Sequence, residues 1–187
     1  MADLLSTVGG YEQQIGLPGA PATSSVADLP TDTYINMATT GGLDSAGMIE
    51  FGVVVAKHAA GDRAACPLAA GNLVPVGISR RQPNLAATPG TNLTGYKTGS
   101  EFGVFRLGDV VCLAAEAVVK NDQVVALVTP VTVSTGNITN VGGGSAGVAN
   151  GTTRIAVPRH VWKTTTASGQ LGIVGVHGLD IAPTLTS

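Results

Sequence analysis

A possible catalytic serine is the first chemical feature of the sequence. Ser145 lies in a G-x-S-x-G pattern between Gly143 and Gly147, and two histidines, His160 and His177, follow it. In hydrolases with this pattern the serine occupies a sharp turn between a strand and a helix, and an acid and a histidine complete the site. Here the stretch is rich in glycine and continues as VANGTT, which is a poor start for a helix. A serine hydrolase is therefore the weaker interpretation, and we predict no catalytic residue.

Two glycine patterns resemble nucleotide-binding motifs but lack the required context. Residues 142–147 satisfy G-x-G-x-x-G, yet no helix is readable after them whose N-terminus could hold a pyrophosphate. Residues 90–98, GTNLTGYKT, come close to a phosphate-binding loop, but Tyr96 separates the second glycine from Lys97. In that loop the lysine follows the glycine directly, because only then does it reach the phosphates. We therefore predict no cofactor.

The histidines and cysteines do not have the spacing of a metal site. His58, His160 and His177 form neither H-x-x-x-H nor H-x-H, and no acidic cluster lies near them in the sequence. Cys66 and Cys112 lie far apart in a chain without a visible secretion signal. Such cysteines are expected to be buried, reduced thiols, and a disulfide or a metal pair is the alternative. The sequence therefore predicts no metal.

The composition points towards contacts with other proteins. Only 12% of the residues are charged, compared with about 25% in an ordinary soluble domain. Such a chain either covers its surface with Thr, Ser, Asn and Gly or buries much of that surface against other chains. The net charge of −2, with Arg80-Arg81 as the densest basic cluster, argues against nucleic acid as a partner. We also expect no membrane partner, because no long uninterrupted apolar stretch is present.

Short runs rich in Val, Ile and Thr dominate the chain after residue 47. MIEFGVVVAKHA, NLVPVGISRR, EFGVFRL and QLGIVGVHGL are typical strand sequences, and Pro75 indicates an edge strand or a bulge. Asp62, Asp109 and Asp122 stand at the predicted turns, where their side chains can bond to nearby backbone N–H groups. Residues 131–151 are expected to form a long Gly-rich loop or an exposed hairpin. The predicted fold class is all-β, with a sandwich or barrel body over residues 45–187.

Residues 1–44 differ from this body and are expected to form an extended N-terminal arm. The segment contains several Pro and Gly residues and has no sustained period of 2 or 3.6. Its spaced apolar residues favour an arm that docks on another protein, and a disordered leader is the alternative. The candidate interface residues are Tyr11, Ile15, Leu17, Tyr34 and Met37 in the arm, with Arg80, Arg81 and Trp162 in the body. For Trp162 a core anchor is the preferred interpretation, and the interface is the alternative.

The order of these segments resembles one family of viral proteins. After the arm come GMIEFGVVVAKHAAGDRAACPL, LVPVGISRR, YKTGSEFGVFRLGDVVCLAAEAVVKNDQVVAL and RHVWKTTTASGQLGIVGVHG. This series resembles the head-decoration, or structural cement, proteins of tailed bacteriophages over roughly residues 47–178. One departure is Asn121-Asp122, where the family often has Gly-Asp, and residues 131–151 look like an addition.

The resemblance implies a β-barrel or jelly-roll-like body on the outer surface of the phage head. It implies binding to the major capsid protein, a homodimer or homotrimer, synthesis in the cytoplasm of the bacterial host and no enzymatic activity. A self-assembling tail, fibre or baseplate protein is the main alternative, because it would share the same β-rich, weakly charged sequence. A carbohydrate-binding module fits less well, since aromatic residues make up only 4% of the chain.

Overall fold

The computed structural model describes residues 17–22, 31–38, 47–69, 73–82, 95–133, 138–144, 147–149 and 152–177. All regular structure within these residues is β, in 13 strands. In chain order the strands are β1 (Thr31–Asn36), β2 (Ile49–Glu50), β3 (Val54–Lys57), β4 (Ala64–Pro67), β5 (Pro75–Ile78), β6 (Gly95–Tyr96), β7 (Glu101–Phe105), β8 (Leu107–Leu113), β9 (Gln123–Thr132), β10 (Ile138–Gly143), β11 (Gly147–Ala149), β12 (Thr152–Trp162) and β13 (Leu171–His177). The all-β prediction is confirmed. Across the described ranges, no helix is long and apolar enough to cross a membrane.

The strands form three sheets. The first sheet has the order β5-β3-β4-β1-β7, the second has the order β10-β9-β12-β13-β8 with β11 beside β12, and the small sheet pairs β2 with β6. The ladders are antiparallel except for the parallel pair β1 and β4. The edge strands of the first sheet approach each other only at an isolated bridge between Ser79 and Val104. In the described part of the chain neither large sheet closes into a barrel, and the jelly-roll detail remains a prediction.

Two hydrophobic cores hold the sheets together. The first core takes residues from both large sheets, among them Val54, Phe105 and Trp162. The second core joins the first sheet to the small sheet and contains Val55 and Tyr96. Neighbouring residues of β3 thus point into different cores, because side chains alternate along a strand. A strand that is buried on both faces needs a continuous apolar run, which is why the sequence reads VVVA at this position.

Part of the predicted arm belongs to the body. Thr31–Asn36 form β1, which lies inside the first sheet between β4 and β7. The alternation that would reveal this strand covers only three residues on each face, with Tyr34 and Asn36 turned inward and Thr33 and Ile35 exposed. The arm prediction is therefore wrong for these six residues. Residues 1–16, 23–30 and 39–46 lie outside the described residues, so the arm stays a prediction there.

The Gly-rich segment 131–151 is also more ordered than a continuous loop. It contains the end of β9, all of β10 and β11, and β10 pairs with β9. A Cβ atom on Gly142 would lie 2.6 Å from Glu116 Oε1, and one on Gly143 would lie 2.8 Å from Val118 Cγ1. These glycines therefore permit close packing. The loop interpretation is wrong for β10 and β11, and the hairpin alternative describes their antiparallel pairing with β9 and β12, although β10 is buried and not exposed. Ser145 lies outside the described residues.

Two of the three predicted aspartate turns are present. Asp62 lies in the turn between β3 and β4, and Asp122 accepts a hydrogen bond from Val119 N at 2.9 Å in the turn before β9. Asp109 instead lies within β8, opposite Gly175 of β13. Its carboxylate is 2.6 Å from Lys163 Nζ. The turn prediction at Gly108-Asp109 is wrong, because the chain bends two positions before Gly108, at Arg106, where it passes from β7 of the first sheet to β8 of the second.

Candidate functional site

The predicted interface residues do not form one cluster. Tyr11 and Ile15 lie outside the described residues. Leu17, Arg80 and Arg81 come together at one side of the molecule, where the first sheet meets β8. Tyr34 lies close to this side, whereas Met37 follows the far end of β1 and Trp162 is in the core.

Residues 17–22, which we call the strap, connect the two large sheets. The strap begins with a β-turn, in which Ala20 N donates to Leu17 O at 3.1 Å. Pro18 and Gly19, with φ of 76° at the glycine, are the residues that a type II turn requires at its centre. The strap then runs antiparallel to β8, and Val111 N donates to Ala20 O at 2.9 Å.

The strap is also fixed to the first sheet. Arg81 N donates to Gly19 O at 2.7 Å, in the segment that follows β5. A Cβ atom on Gly19 would lie 2.7 Å from Gly52 N, so any larger residue would push the strap off the body. Because the strap bonds to both sheets, its position depends on the packing of one sheet against the other.

A cleft of about 230 Å³ opens beside the strap turn, and we call it the strap cleft. Its wall is about half polar and half apolar, and two of the lining residues are charged. It is lined by Leu17, Pro18, Glu50, Phe51, Gly52, Val53, Arg81, Leu113, Ile138 and Thr139. Arg81 Cζ lies 4.9 Å from the centre of the Phe51 ring, a distance at which the guanidinium is attracted to the aromatic face.

A second, more polar groove of about 360 Å³ lies on the other side of the arginines. It is lined by Thr31, Thr33, Arg80, Arg81, Gln82, Glu101, Phe102 and Gly103. Arg80 N donates to Gly103 O at 2.7 Å, which fixes the arginine segment along β7. The Tyr34 ring packs 6.3 Å from the Phe102 ring, centre to centre. Burial raises the pKa of Tyr34, and the neighbouring Asp32 carboxylate raises it further.

The remaining candidates have different surroundings. Met37 is 37% exposed, and Ile35, two residues earlier on the same strand face, is 38% exposed. Trp162 is fully buried in the first core, and its Nε1 donates to Gly142 O at 2.8 Å. The core interpretation of Trp162 is therefore the correct one, and its side chain is not available to a partner.

The described residues do not assemble a chemical site. No three His, Cys, Asp or Glu residues within the described ranges are placed to hold a metal ion. Cys66 and Cys112 are free and buried, as predicted. Burial raises the pKa of the Cys66 thiol to about 11 and raises that of Cys112 as well. Both side chains are thus neutral thiols near pH 7, and a neutral thiol is a poor nucleophile.

His160 is the one buried imidazole in the described part of the chain. Its Nδ1 lies 2.8 Å from Pro158 O, and its Nε2 has no hydrogen-bond partner. The pKa of His160 is lowered to about 4, mainly by burial; the hydrogen bond to the Pro158 carbonyl opposes this effect, and the electrostatic influence of His177 adds to it. The ring sits at a bulge of β12, where Arg159 has φ of 59°.

The wall of the strap cleft was not visible from the sequence. Phe51, Leu113 and Ile138 belong to three separate segments, and their meeting depends on how the sheets pack. The sequence carries one local signal for the strap turn, because Pro-Gly at positions 18 and 19 is typical of the centre of a type II turn. The class of protein that the described residues define is an all-β protein with an open cleft beside the strap and an adjoining groove.

Comparison with known proteins gives the family. The family model "Structural cement protein (E217 gp24/Pam3 gp6)" matches residues 4–177. The chain therefore belongs to the phage structural cement proteins, and the resemblance seen in the sequence is confirmed. Its role is that of a capsid cement, or decoration, protein.

A solved structure agrees with the fold. A chain of the structure entitled "The capsid of Myoviridae Phage XM1" is similar over 94% of this chain and 97% of its own length, with a TM-score of 0.50 and 19% identity. At that identity the likeness concerns the fold. No curated protein matches the sequence.

Proposed function

We propose that this protein binds the outside of the phage head and stabilises the shell by bridging neighbouring subunits of the major capsid protein. The observation that carries the proposal is the cement family match across residues 4–177. The weakly charged surface supports it, because fewer charged groups must lose water when the protein docks. In this proposal the protein has no catalytic activity and needs no cofactor, nucleic acid or membrane.

The side of the molecule that carries the strap cleft and the arginine groove is proposed to face the capsid or a neighbouring cement subunit. It presents Leu17, Arg80 and Arg81. Tyr34 of β1 and Met37, which follows β1, are proposed as further contacts. Arginine and tyrosine are enriched in protein interfaces, since both combine an apolar body with a polar tip. The N-terminal arm, with Tyr11 and Ile15, is proposed to contact the same neighbours.

Bridging accounts for stabilisation without chemistry. A specific contact typically buries about 1,600 Å², and part of the gain from that burial is offset by ordering and association costs. A homodimer or homotrimer that touches several capsid subunits gains further, because each later contact forms at a high effective concentration. Pulling two capsid subunits apart would then also require breaking their contacts with the cement protein.

The direct test is reconstitution on capsids that lack the protein. Purified protein is added to such capsids, and electron microscopy locates the added density. We expect density on the outer surface across subunit boundaries, and a higher temperature of capsid disruption. A variant without residues 1–16 should keep its fold, because these residues precede the strap, and should bind capsids more weakly.

The reconstitution also tests the alternative of a tail, fibre or baseplate protein. Such a protein would form rings or polymers on its own, whereas a cement protein should stop at a small closed oligomer in the absence of capsids. Polymers without capsids, combined with bare capsids after mixing, would contradict the proposal.

A further inference from the structure

We propose that the strap cleft of one copy binds the N-terminal segment of a second copy, through Tyr11 and Ile15. The inference rests on the proposed function, because it specifies a contact between two cement subunits. It concerns Leu17, Phe51, Arg81 and Ile138 as the receiving surface.

The size of the cleft fits amino-acid side chains better than a free ligand. Its volume is about 230 Å³, whereas small-molecule sites usually occupy roughly 300–1,000 Å³. Phe51 and Val53 are each only 4% exposed and form an apolar floor. One or two apolar side chains of an extended segment can fill such a space, and the rest of the segment can remain outside.

The charges at the cleft fit the sequence Tyr11-Glu12-Gln13-Gln14-Ile15. Arg81 lies over the Phe51 ring and shares the cleft with Glu50, so its guanidinium is held at the cleft, and the inference pairs it with the Glu12 carboxylate of the incoming segment. Tyrosine and isoleucine supply apolar bodies, and the tyrosine hydroxyl can stay at the wet rim.

The geometry of the strap turn argues against the protein's own N-terminal segment as the occupant. After the turn, the strap runs from Val111 towards Asp109 of β8. A β-turn reverses the chain, so the chain enters Leu17 from the Asp109 side. Leu113, in the cleft wall, is at the opposite end of β8. The chain's own residues before Leu17 would have to reverse a second time to enter the cleft.

The length of the segment limits where the neighbouring cleft can lie. The first 16 residues precede the described part of the chain, which begins at the rim of the cleft with Leu17. Ile15 is two residues and Tyr11 is six residues before Leu17, so an extended chain carries them at most about 7 Å and about 20 Å from it. The inference therefore requires the clefts of the two copies to face each other, rim to rim, across their contact.

Disulfide trapping between two differently tagged copies tests the inference. One copy carries Ile15→Cys, the other carries Ile138→Cys, and the two are expressed together, purified and oxidised mildly. The native cysteines are buried and should not react. We expect a cross-linked band of the combined mass on a non-reducing gel, at least tenfold stronger than in a control that pairs Ile15→Cys with Ala60→Cys. Ala60 is exposed in the turn between β3 and β4, away from the cleft.

Two results would overturn the inference. One is a cross-link no stronger than in the control pair. The other is a double variant, Ile15→Cys with Ile138→Cys in one chain, that forms its disulfide within the monomer. Capsid binding by the unmodified protein is measured separately. Decorated capsids without the cross-link would refute this inference alone, and a cross-link without capsid binding would refute the proposed function alone.

Discussion

The side-chain amide of Asn140 bonds to both backbone groups of Val54. Asn140 Nδ2 donates to Val54 O, Asn140 Oδ1 accepts from Val54 N, and both distances are 2.9 Å. Asn140 lies in β10 of the second sheet and Val54 begins β3 of the first sheet. A buried asparagine thus takes the place of a neighbouring strand and ties the two large sheets together.

Replacing this asparagine should weaken the whole fold. Asn140→Leu leaves two buried backbone groups of Val54 without partners, and each such group costs about 1–3 kcal/mol. We expect the free energy of unfolding to fall by about 2–4 kcal/mol, measured by urea denaturation with an unchanged m-value. The matched control is Gln123→Leu, an exposed amide in β9, whose effect should stay within about 0.5 kcal/mol. Equal effects of the two variants would contradict this role of Asn140.

The glycines of β10 should not tolerate even a methyl group. Gly143→Ala places a Cβ atom 2.8 Å from Val118 Cγ1 and 3.2 Å from Trp162 Cδ1. Overpacking of this kind costs about 1–3 kcal/mol, which thermal unfolding would detect as a lower Tm. Gly61→Ala is the control, because nothing lies within 4 Å of the added atom. If both variants have the same Tm as the wild type, the packing argument is wrong.

Stability should fall as the pH drops from about 6.5 to about 4. The pKa of His160 is about 4 in the folded protein, mainly because of burial, whereas an unfolded histidine has a pKa near 6.5. Between these values the unfolded chain binds a proton that the folded protein does not bind, so unfolding becomes easier as the pH falls. The loss attributable to His160 is at most about 3 kcal/mol, since one pKa unit corresponds to about 1.4 kcal/mol.

The variant His160→Leu isolates this effect. It removes the titrating ring and its unpaired Nε2, so the decline in stability between pH 6.5 and pH 4 should become shallower. Gln123→Leu, at an exposed position and without loss of a titrating group, should leave the pH profile as it is. Urea unfolding at several pH values measures both, and an unchanged slope in His160→Leu would exclude His160 as the cause.

The ion pair between Glu116 and Arg154 should matter more than the pair between Lys57 and Asp62. Arg154 bonds to Glu116 through two nitrogens and to Gly143 O at 2.7 Å, and the Arg154 side chain is only 15% exposed. Glu116→Ala leaves that guanidinium with one partner and should cost about 2 kcal/mol, since the pair is only partly screened by solvent. Asp62→Ala removes a carboxylate that is 96% exposed and should leave the urea midpoint unchanged. A larger effect of Asp62→Ala would reverse this ranking.

Local signals in the sequence predicted that strands would form in these segments, but they did not predict every strand boundary. MIEFGVVVAKHA reads as one run, yet Gly52, with φ of 71°, separates β2 from β3. Pro75 was predicted at an edge or a bulge, and β5 is an edge strand with a register shift opposite Val55 and Ala56. A proline has no N–H group to donate to a neighbouring strand, so within a sheet it is confined to edge strands, the first residue of a strand and bulges. Such residue-level restrictions can be read from a sequence.

The placement of the candidate site depended on long-range packing that no local pattern records. The strap cleft combines Leu17, Phe51 and Ile138, whose positions in the chain are far apart. Gly142 and Gly143 were predicted in a loop, because glycine is common in flexible segments. Glycine is also needed where strands pack too closely for a Cβ atom, as they do here, and the sequence alone does not distinguish the two cases. Trp162 fitted the pattern of a core residue better than that of an interface residue, and its burial and its contacts confirm the core interpretation.

The position of β1 determines the order in which the molecule can be assembled during synthesis. β1 pairs with β7, and Thr31 lies opposite Phe105, so a ribosome must produce most of the first sheet before this strand has both neighbours. Pairings between distant residues form slowly, and an unpaired strand edge can associate with other chains in the meantime. Chains that stop before residue 105 should therefore aggregate, and a fusion partner placed at the C-terminus would report only on chains that have completed this sheet.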